Sequence, residues 1–189
     1  MIDLQNILIN YSLFEKYDKN YFLDNLIVPL FEDEISIHVG VCNESNLSSI
    51  KSNILKLIKF KEFKKKQIQF VLSYLNEKIF LYSKALNCIN SKNINEKYIE
   101  IFFYNIIEFS IKLRTSDIHI EEFENNILLR FRIDGKLKTF FVFDKELLKL
   151  LSSYVKLISN LDITQTRLPM DSRFSLNLEE KKYDFRVST

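Results

Sequence analysis

Asp134-Gly135 stands between two runs of alternating apolar and polar residues, 127–133 and 136–143. A two-residue turn of type I′ needs positive φ at both central positions, which Asp-Gly adopts with little strain. The pair therefore dictates an antiparallel hairpin. In its first strand Leu129, Phe131 and Ile133 face a core, while Leu128, Arg130, Arg132 and Asp134 face away. Just upstream, Ser116-Asp117-Ile118-His119-Ile120-Glu121 alternates in the same way, with Asp117, His119 and Glu121 on one face. Residues 167–189 repeat the style as two more strands turned at 179–182, with Tyr183, Phe185 and Val187 inward and Asp184, Arg186 and Ser188 outward.

Gly135 is one of only two glycines in 189 residues; the other is Gly40. A loop that wraps phosphate through its backbone needs closely spaced glycines followed by lysine and a hydroxyl residue. Neither glycine has that setting, so the chain contains no phosphate loop and no dinucleotide fingerprint. The formal charge of +2 is too small to imply nucleic-acid binding. Cys42 and Cys88 are isolated from any second ligand at metal spacing and read as reduced thiols. No apolar run is long enough to span a bilayer, and the N-terminus lacks a basic signal region. These features point to a soluble, cytoplasmic chain.

The remaining sequence is mostly helical in period. Leu4, Ile7, Leu8 and Tyr11 predict a short amphipathic helix. A strand at 27–31, placed at an edge by donor-less Pro29, pairs with a second strand carrying Ile35, Ile37 and Val39 around an acidic turn. His38 falls on that strand's polar side. Leu47, Ile50, Ile54, Leu57 and Ile58 predict a helix capped by Asn46, and Ile68, Leu72, Leu75, Ile79 and Tyr82 another over 67–86. Residues 51–66 hold seven lysines against Glu62. A solvated surface is the simpler reading of that run, and an anionic partner the functional one. Residues 91–95 read as a linker, with Asn93 and Glu96 as a capping box for a helix bearing Ile99, Phe102, Phe103, Ile106 and Ser110. Asp144 caps a last helix striped by Leu147, Leu151, Tyr154, Ile158 and Leu161.

The expected fold is α+β. A small N-terminal α/β unit, residues 1–90, precedes a second unit, residues 91–189, made of an antiparallel sheet with helices packed on one side. The stop at Thr189 directly after a strand suggests truncation.

Three ligand-type side chains share one strand face at Asp117, His119 and Glu121. Same-face neighbours lie about 7 Å apart along a strand, too far for one ion without outside ligands, so no metal site is expected. The arginines are more informative. Arg130 and Arg132 share a face, and Arg167, Arg173 and Arg186 lie on neighbouring segments. Guanidinium presents a planar fork of donors that fits carboxylate or phosphate. Structurally they would pair with Asp117, Glu121, Asp171 and Asp184; functionally, some would reach a phosphate held elsewhere.

Four stretches together carry a resemblance: Ser116 to Glu121; Arg130-Phe131-Arg132-Ile133-Asp134-Gly135; Arg167-Leu168-Pro169-Met170-Asp171-Ser172-Arg173-Phe174-Ser175; and Asp184-Phe185-Arg186-Val187-Ser188-Thr189. In this order and spacing they resemble the PAS-like domain that precedes the catalytic domain in type II secretion ATPases and type IV pilus assembly ATPases (the GspE/PilB family). The stretch from Val28-Pro29-Leu30 through the helix at Leu47 resembles, more loosely, that family's docking domain. Met170-Asp171-Ser172 departs from the family's usual Gln-Asp-Gly.

The resemblance implies a parent with a RecA-like ATPase domain, using ATP and Mg and working as a homo-hexamer peripheral to the inner membrane. The first unit would dock on inner-membrane platform proteins. Arg130 would contact the γ-phosphate of nucleotide held by the RecA-like domain of the same or a neighbouring subunit, with Lys145 as a second basic residue. Arg132, Arg167, Arg173 and Arg186 would be supporting charges. No catalytic residue, cofactor or metal is expected within the 189 residues alone. Competing readings are a pilus or DNA-uptake sibling ATPase and a stand-alone PAS-like ligand sensor; nucleic-acid binding through residues 51–66 is the weakest.

Overall fold

The first sheet contains the first surprise: its third strand lies where helical spacing is strongest. In a computed structural model, which describes residues 4, 7–48, 50, 54–90 and 96–189, β1 (Val28–Glu32) pairs antiparallel with β2 (Ser36–Val41). β2 then pairs in parallel with β3 (Leu57–Glu62). Leu57 and Ile58 thus belong to a strand, not to the helix that their spacing with Ile50 and Ile54 predicts. Ile58 and Phe60 also satisfy a period of two, and pairing with buried Ile37 and Val39 decides between the periods. Pro29 sits on an outer strand beside an irregularity in register, where its missing donor is tolerated. Asp33 holds the β1–β2 turn by accepting from the Ile35 and Ser36 backbone N–H groups and the Ser36 hydroxyl.

The short helix expected from Leu4 to Tyr11 falls partly outside the described residues. Residues 8–10 are irregular, and α1 (Ser12–Lys16) and α2 (Lys19–Asp24) follow. Asp18, at φ 79°, caps α2 through the Asn20 and Tyr21 N–H groups. The single helix expected over 67–86 is two: α3 (Lys65–Leu72) and α4 (Leu75–Asn90), broken where Ser73 is extended and Tyr74 takes φ 53°.

That break creates a helix end whose carbonyls need donors. Ser73 supplies some, through its N–H to the Gln69 carbonyl and its hydroxyl to the Phe70 carbonyl, and the rest come from Lys78. Its fully buried ammonium donates to the Phe70 and Val71 carbonyls at 2.7 and 3.0 Å and lies 4.8 Å from the Phe70 ring and 5.5 Å from that of Phe140. Cation–π contact and two charge-assisted bonds offset part of the desolvation of a buried charge.

The linker expected at 91–95, with Asn93, lies outside the described residues. Beyond it, α5 (Glu96–Lys112) buries Ile99, Phe102, Phe103, Ile106 and Ser110, as its period predicts. β4 (Asp117–Phe123), β5 (Asn126–Ile133) and β6 (Lys136–Asp144) form an antiparallel sheet in that order. Asp134 and Gly135 close its second turn at φ 50° and 74°, the geometry that Asp-Gly favours. α6 (Glu146–Ile158) follows, its first turn receiving Asp144 Oδ1 on the Glu146 N–H at 3.0 Å. β7 (Asp171–Leu178) and β8 (Lys181–Ser188) make a hairpin of their own and do not extend the three-stranded sheet. Phe174 and Phe185 stack at 4.9 Å across it, and Phe174 meets Phe103 of α5 at 6.1 Å.

One buried cluster runs through the whole. Tyr11 lies 6.1 Å from Phe141 and 5.7 Å from Tyr82, and Tyr82 stacks on Phe143. α+β describes the architecture.

Burial pulls the Lys78 ammonium from 10.5 down to about 7, whereas the unfolded chain keeps that proton to its ordinary value. Between about pH 7 and 10.5 unfolding therefore takes up a proton, so stability from this group rises with pH across that window and is lost as pH falls toward 7, below which both states hold the proton. Above 9 the Cys88 thiol, pushed up to about 11 by burial, acts oppositely. Stability measured by urea unfolding should rise by on the order of 2 kcal/mol from pH 7 to 9. Lys78→Met should flatten that rise; an unchanged slope would mean the ammonium is not the cause.

Candidate functional site

β4 and β5 put the polar groups of the sheet into register: Asp117 opposite Arg132, His119 opposite Arg130, Glu121 opposite Leu128. Directly paired residues share a face, so Asp117, His119, Glu121, Arg130 and Arg132 form one polar surface. Ile118, Ile120, Leu129 and Phe131 take the other face, toward the buried cluster. The two arginines are held differently. Arg132 Nε donates to Asp117 Oδ2 at 3.1 Å and its Nη1 to the Gly135 carbonyl at 3.4 Å, tying it to the turn. Arg130 Nη1 donates to Glu121 Oε2 at 2.8 Å, while its Nε is buried with no acceptor. Glu121 Oε1 also lies 3.5 Å from His119 Nδ1.

Lys145 stands at the start of α6, and its ammonium pairs with Glu122, the next residue along β4. Consecutive side chains leave opposite faces of a strand, so the Arg130 and Lys145 pairs flank one outer strand from its two sides. Arg167, Arg173 and Arg186 lie elsewhere. Arg167 is an exposed residue between α6 and β7, placed by its N–H on Gln165 Oε1. Arg173 and Arg186 face each other across β7–β8, both exposed, and line an open groove of about 470 Å³ with Asp171, Ser172, Val187 and Ser188. The pairing expected of them with Asp171 and Asp184 is not formed: Asp184 accepts from Ser175 Oγ at 2.5 Å and lies 3.9 Å from Lys182. Each acid stands diagonal to an arginine on the hairpin, Asp184 to Arg173 and Asp171 to Arg186.

Among the described residues no group of three His, Cys, Asp or Glu side chains could hold one metal ion. The Asp117 and Glu121 carboxylates are instead engaged by arginine. His38, on the first sheet, stacks on Phe31 at 4.2 Å. Sequence reasoning missed the role of Glu122. Its place on the core side of β4, at the helix end of the sheet, becomes visible only once α6 is packed there.

Residues 92–189 match the family described as Type II/IV secretion system protein, just over half of the chain. The chain belongs to that family. The match covers all four stretches that carry the resemblance. Relatives include the putative type II secretion system protein E of Escherichia coli (strain K12), 45% identical over 84 residues, which is 44% of this chain and 17% of the relative. The type II secretion system protein E of Dickeya dadantii and the type II secretion system ATPase E of Vibrio cholerae are each 45% identical over 80 residues, 42% of this chain and 16% of theirs. The match to these family members thus spans about one sixth of their length. No helix among the described residues is long and apolar enough to cross a membrane.

Because like charges directly opposite each other weaken a hairpin, Arg173→Thr should raise stability by a few tenths to about 1 kcal/mol. Thermal unfolding at low salt would reveal it, and a loss of stability would mean that the pair is held by contacts other than those described.

Proposed function

We propose that the chain acts as the amino-terminal, non-catalytic part of a hexameric secretion ATPase. In that role it supplies Arg130, assisted by Lys145, to the γ-phosphate of ATP-Mg bound by a RecA-like domain of the same or a neighbouring subunit. The observation that carries this reading is the half-used guanidinium of Arg130: one donor on Glu121 and a buried Nε without an acceptor. A buried unmet donor is costly, and a guanidinium that swings out to an anion would satisfy it. With two distant glycines the chain lends a cation to a nucleotide but has no loop to cradle one. A cation that arrives as domains close stabilises charge on the transferring phosphoryl group and couples hydrolysis to movement. Lys145 brings charge without the bidentate fork. Arg132, tied to Asp117 and Gly135, supports the hairpin that carries Arg130, and Arg167, Arg173 and Arg186 add positive charge on the β7–β8 side.

The first unit is assigned to docking on inner-membrane platform proteins, which places the assembly in the cytoplasm at the inner membrane. Support comes from exposed Phe31, Ile35, Leu57 and Phe60 gathered on or beside the first sheet, next to Lys59 and Lys61. A pilus assembly ATPase is the sibling reading and rests on the resemblance of the four stretches, since the matched family description names type II and type IV secretion systems.

A chimera decides the matter. Residues 92–189 would replace the matching stretch of the Vibrio cholerae ATPase, with and without Arg130→Ala. The expected result is a loss of ATP turnover of about tenfold to a hundredfold with nucleotide affinity nearly unchanged, and no hydrolysis by the 189-residue chain alone. Unchanged turnover would return Arg130 to a purely structural role.

A further inference from the structure

Both cations assigned to phosphate end on successive carboxylates of β4, Arg130 on Glu121 and Lys145 on Glu122. We propose that Glu121 and Glu122 are positioning residues that act as latches. They hold Arg130 and Lys145 against the outer strand until a polyphosphate takes the carboxylates' place. The inference rests on the phosphate-donor reading of Arg130 and adds how that site is held when empty.

Three features of the pairs support exchange over permanent bracing. The Arg130–Glu121 contact engages a single guanidinium nitrogen, although a carboxylate can accept two parallel bonds from arginine, so the pair lacks the stronger bidentate geometry. Both pairs are partly solvated: side-chain exposures are 29% for Arg130 and 39% for Glu121, 54% for Lys145 and 50% for Glu122. Solvated pairs of this kind hold weakly, and a multiply charged phosphoryl oxygen outcompetes a single carboxylate for the same donors. Glu121 also keeps a neighbour when Arg130 leaves, because its other oxygen already lies 3.5 Å from His119 Nδ1.

Arg132 provides the internal contrast. Held by Asp117 and by the Gly135 carbonyl, it is fastened at two points and stays with the turn. Among the described residues Arg130 and Lys145 each have one side-chain partner, on β4, and they approach that strand from opposite faces. A polyphosphate running along the outer edge of β4 can therefore take one cation from each side.

The test uses the 189-residue chain and inorganic tripolyphosphate at low salt, followed by NMR of the arginine Nε–H and lysine signals. Glu121→Gln/Glu122→Gln should bind about threefold to tenfold more tightly than wild type, and Glu121→Gln alone should show part of the gain. Adding Arg130→Gln should remove most of it. Glu179→Gln/Glu180→Gln, at the tip of β7–β8, makes the same change in net charge and should leave affinity nearly unchanged. A merely structural pair predicts the opposite sign, with equal or weaker binding once the carboxylates are lost. If Arg130→Gln weakens binding but the glutamine variants do not strengthen it, the latch is overturned and the phosphate reading survives. An equal gain in the Glu179/Glu180 variant also overturns the latch. Binding indifferent to Arg130→Gln in every background overturns the phosphate reading itself.

Discussion

Packing around the buried Lys78 side chain is the constraint on which the relation between the two halves depends. α3 stops because Ser73 turns extended and Tyr74 left-handed, which leaves carbonyls at the end of α3. Ser73 itself donates to the Gln69 and Phe70 carbonyls, and the Val71 carbonyl still needs a donor at this end. Lys78, a turn into α4, closes it and places its charge near two rings, Phe70 from the first half and Phe140 from the second. The buried side chain thus touches three elements at once: the end of α3, the start of α4 and the middle of β6. Around it the aromatic contacts of Tyr11, Tyr82, Phe141 and Phe143 extend the same junction.

Legibility of the fold followed how local its causes are. Asp134-Gly135 is a local signal, and the hairpin forms where the dipeptide stands. α5 has one face apolar at helical spacing and is a helix for that reason. By contrast, Leu57 and Ile58 fit two periods, and only pairing with β2 resolves them. The α3–α4 break is hidden because the apolar stripe runs on through it; Tyr74 at φ 53° carries no glycine or proline to mark it. Placing β7–β8 apart from the three-stranded sheet is likewise a tertiary outcome, since alternation says which face a residue takes but not which strand lies beside it.

The candidate site divides along the same line. Alternation placed Asp117, His119, Glu121, Arg130 and Arg132 on one face, and the β4–β5 register pairs Asp117 with Arg132 across it. Glu121 reaches Arg130 from a diagonal position, within range of a long guanidinium side chain. Lys145–Glu122 joins a helix start to a strand two elements earlier, and no short-range pattern contains it. The unmet Arg130 Nε is a feature of packing, and only coordinates could show it.

Phe140 joins the Lys78 junction to the arginine. On β6 it is the residue that the pairing skips: Leu129 lies opposite Phe141, while Arg130 lies opposite Thr139. Such a bulge lets Phe140 and Phe141 both turn toward the core, and both are buried. With unbroken register Arg130 would face Phe140, and that ring would be forced onto the polar surface beside the guanidinium. Burying Phe140 near Lys78 therefore sets the register in which Arg130 presents its donors beside the small Thr139 side chain. A cation on a strand lacks the built-in aim of a backbone loop. In this chain its aim comes from a bulge anchored in the core, so the junction of the two halves and the placing of Arg130 are one structural decision.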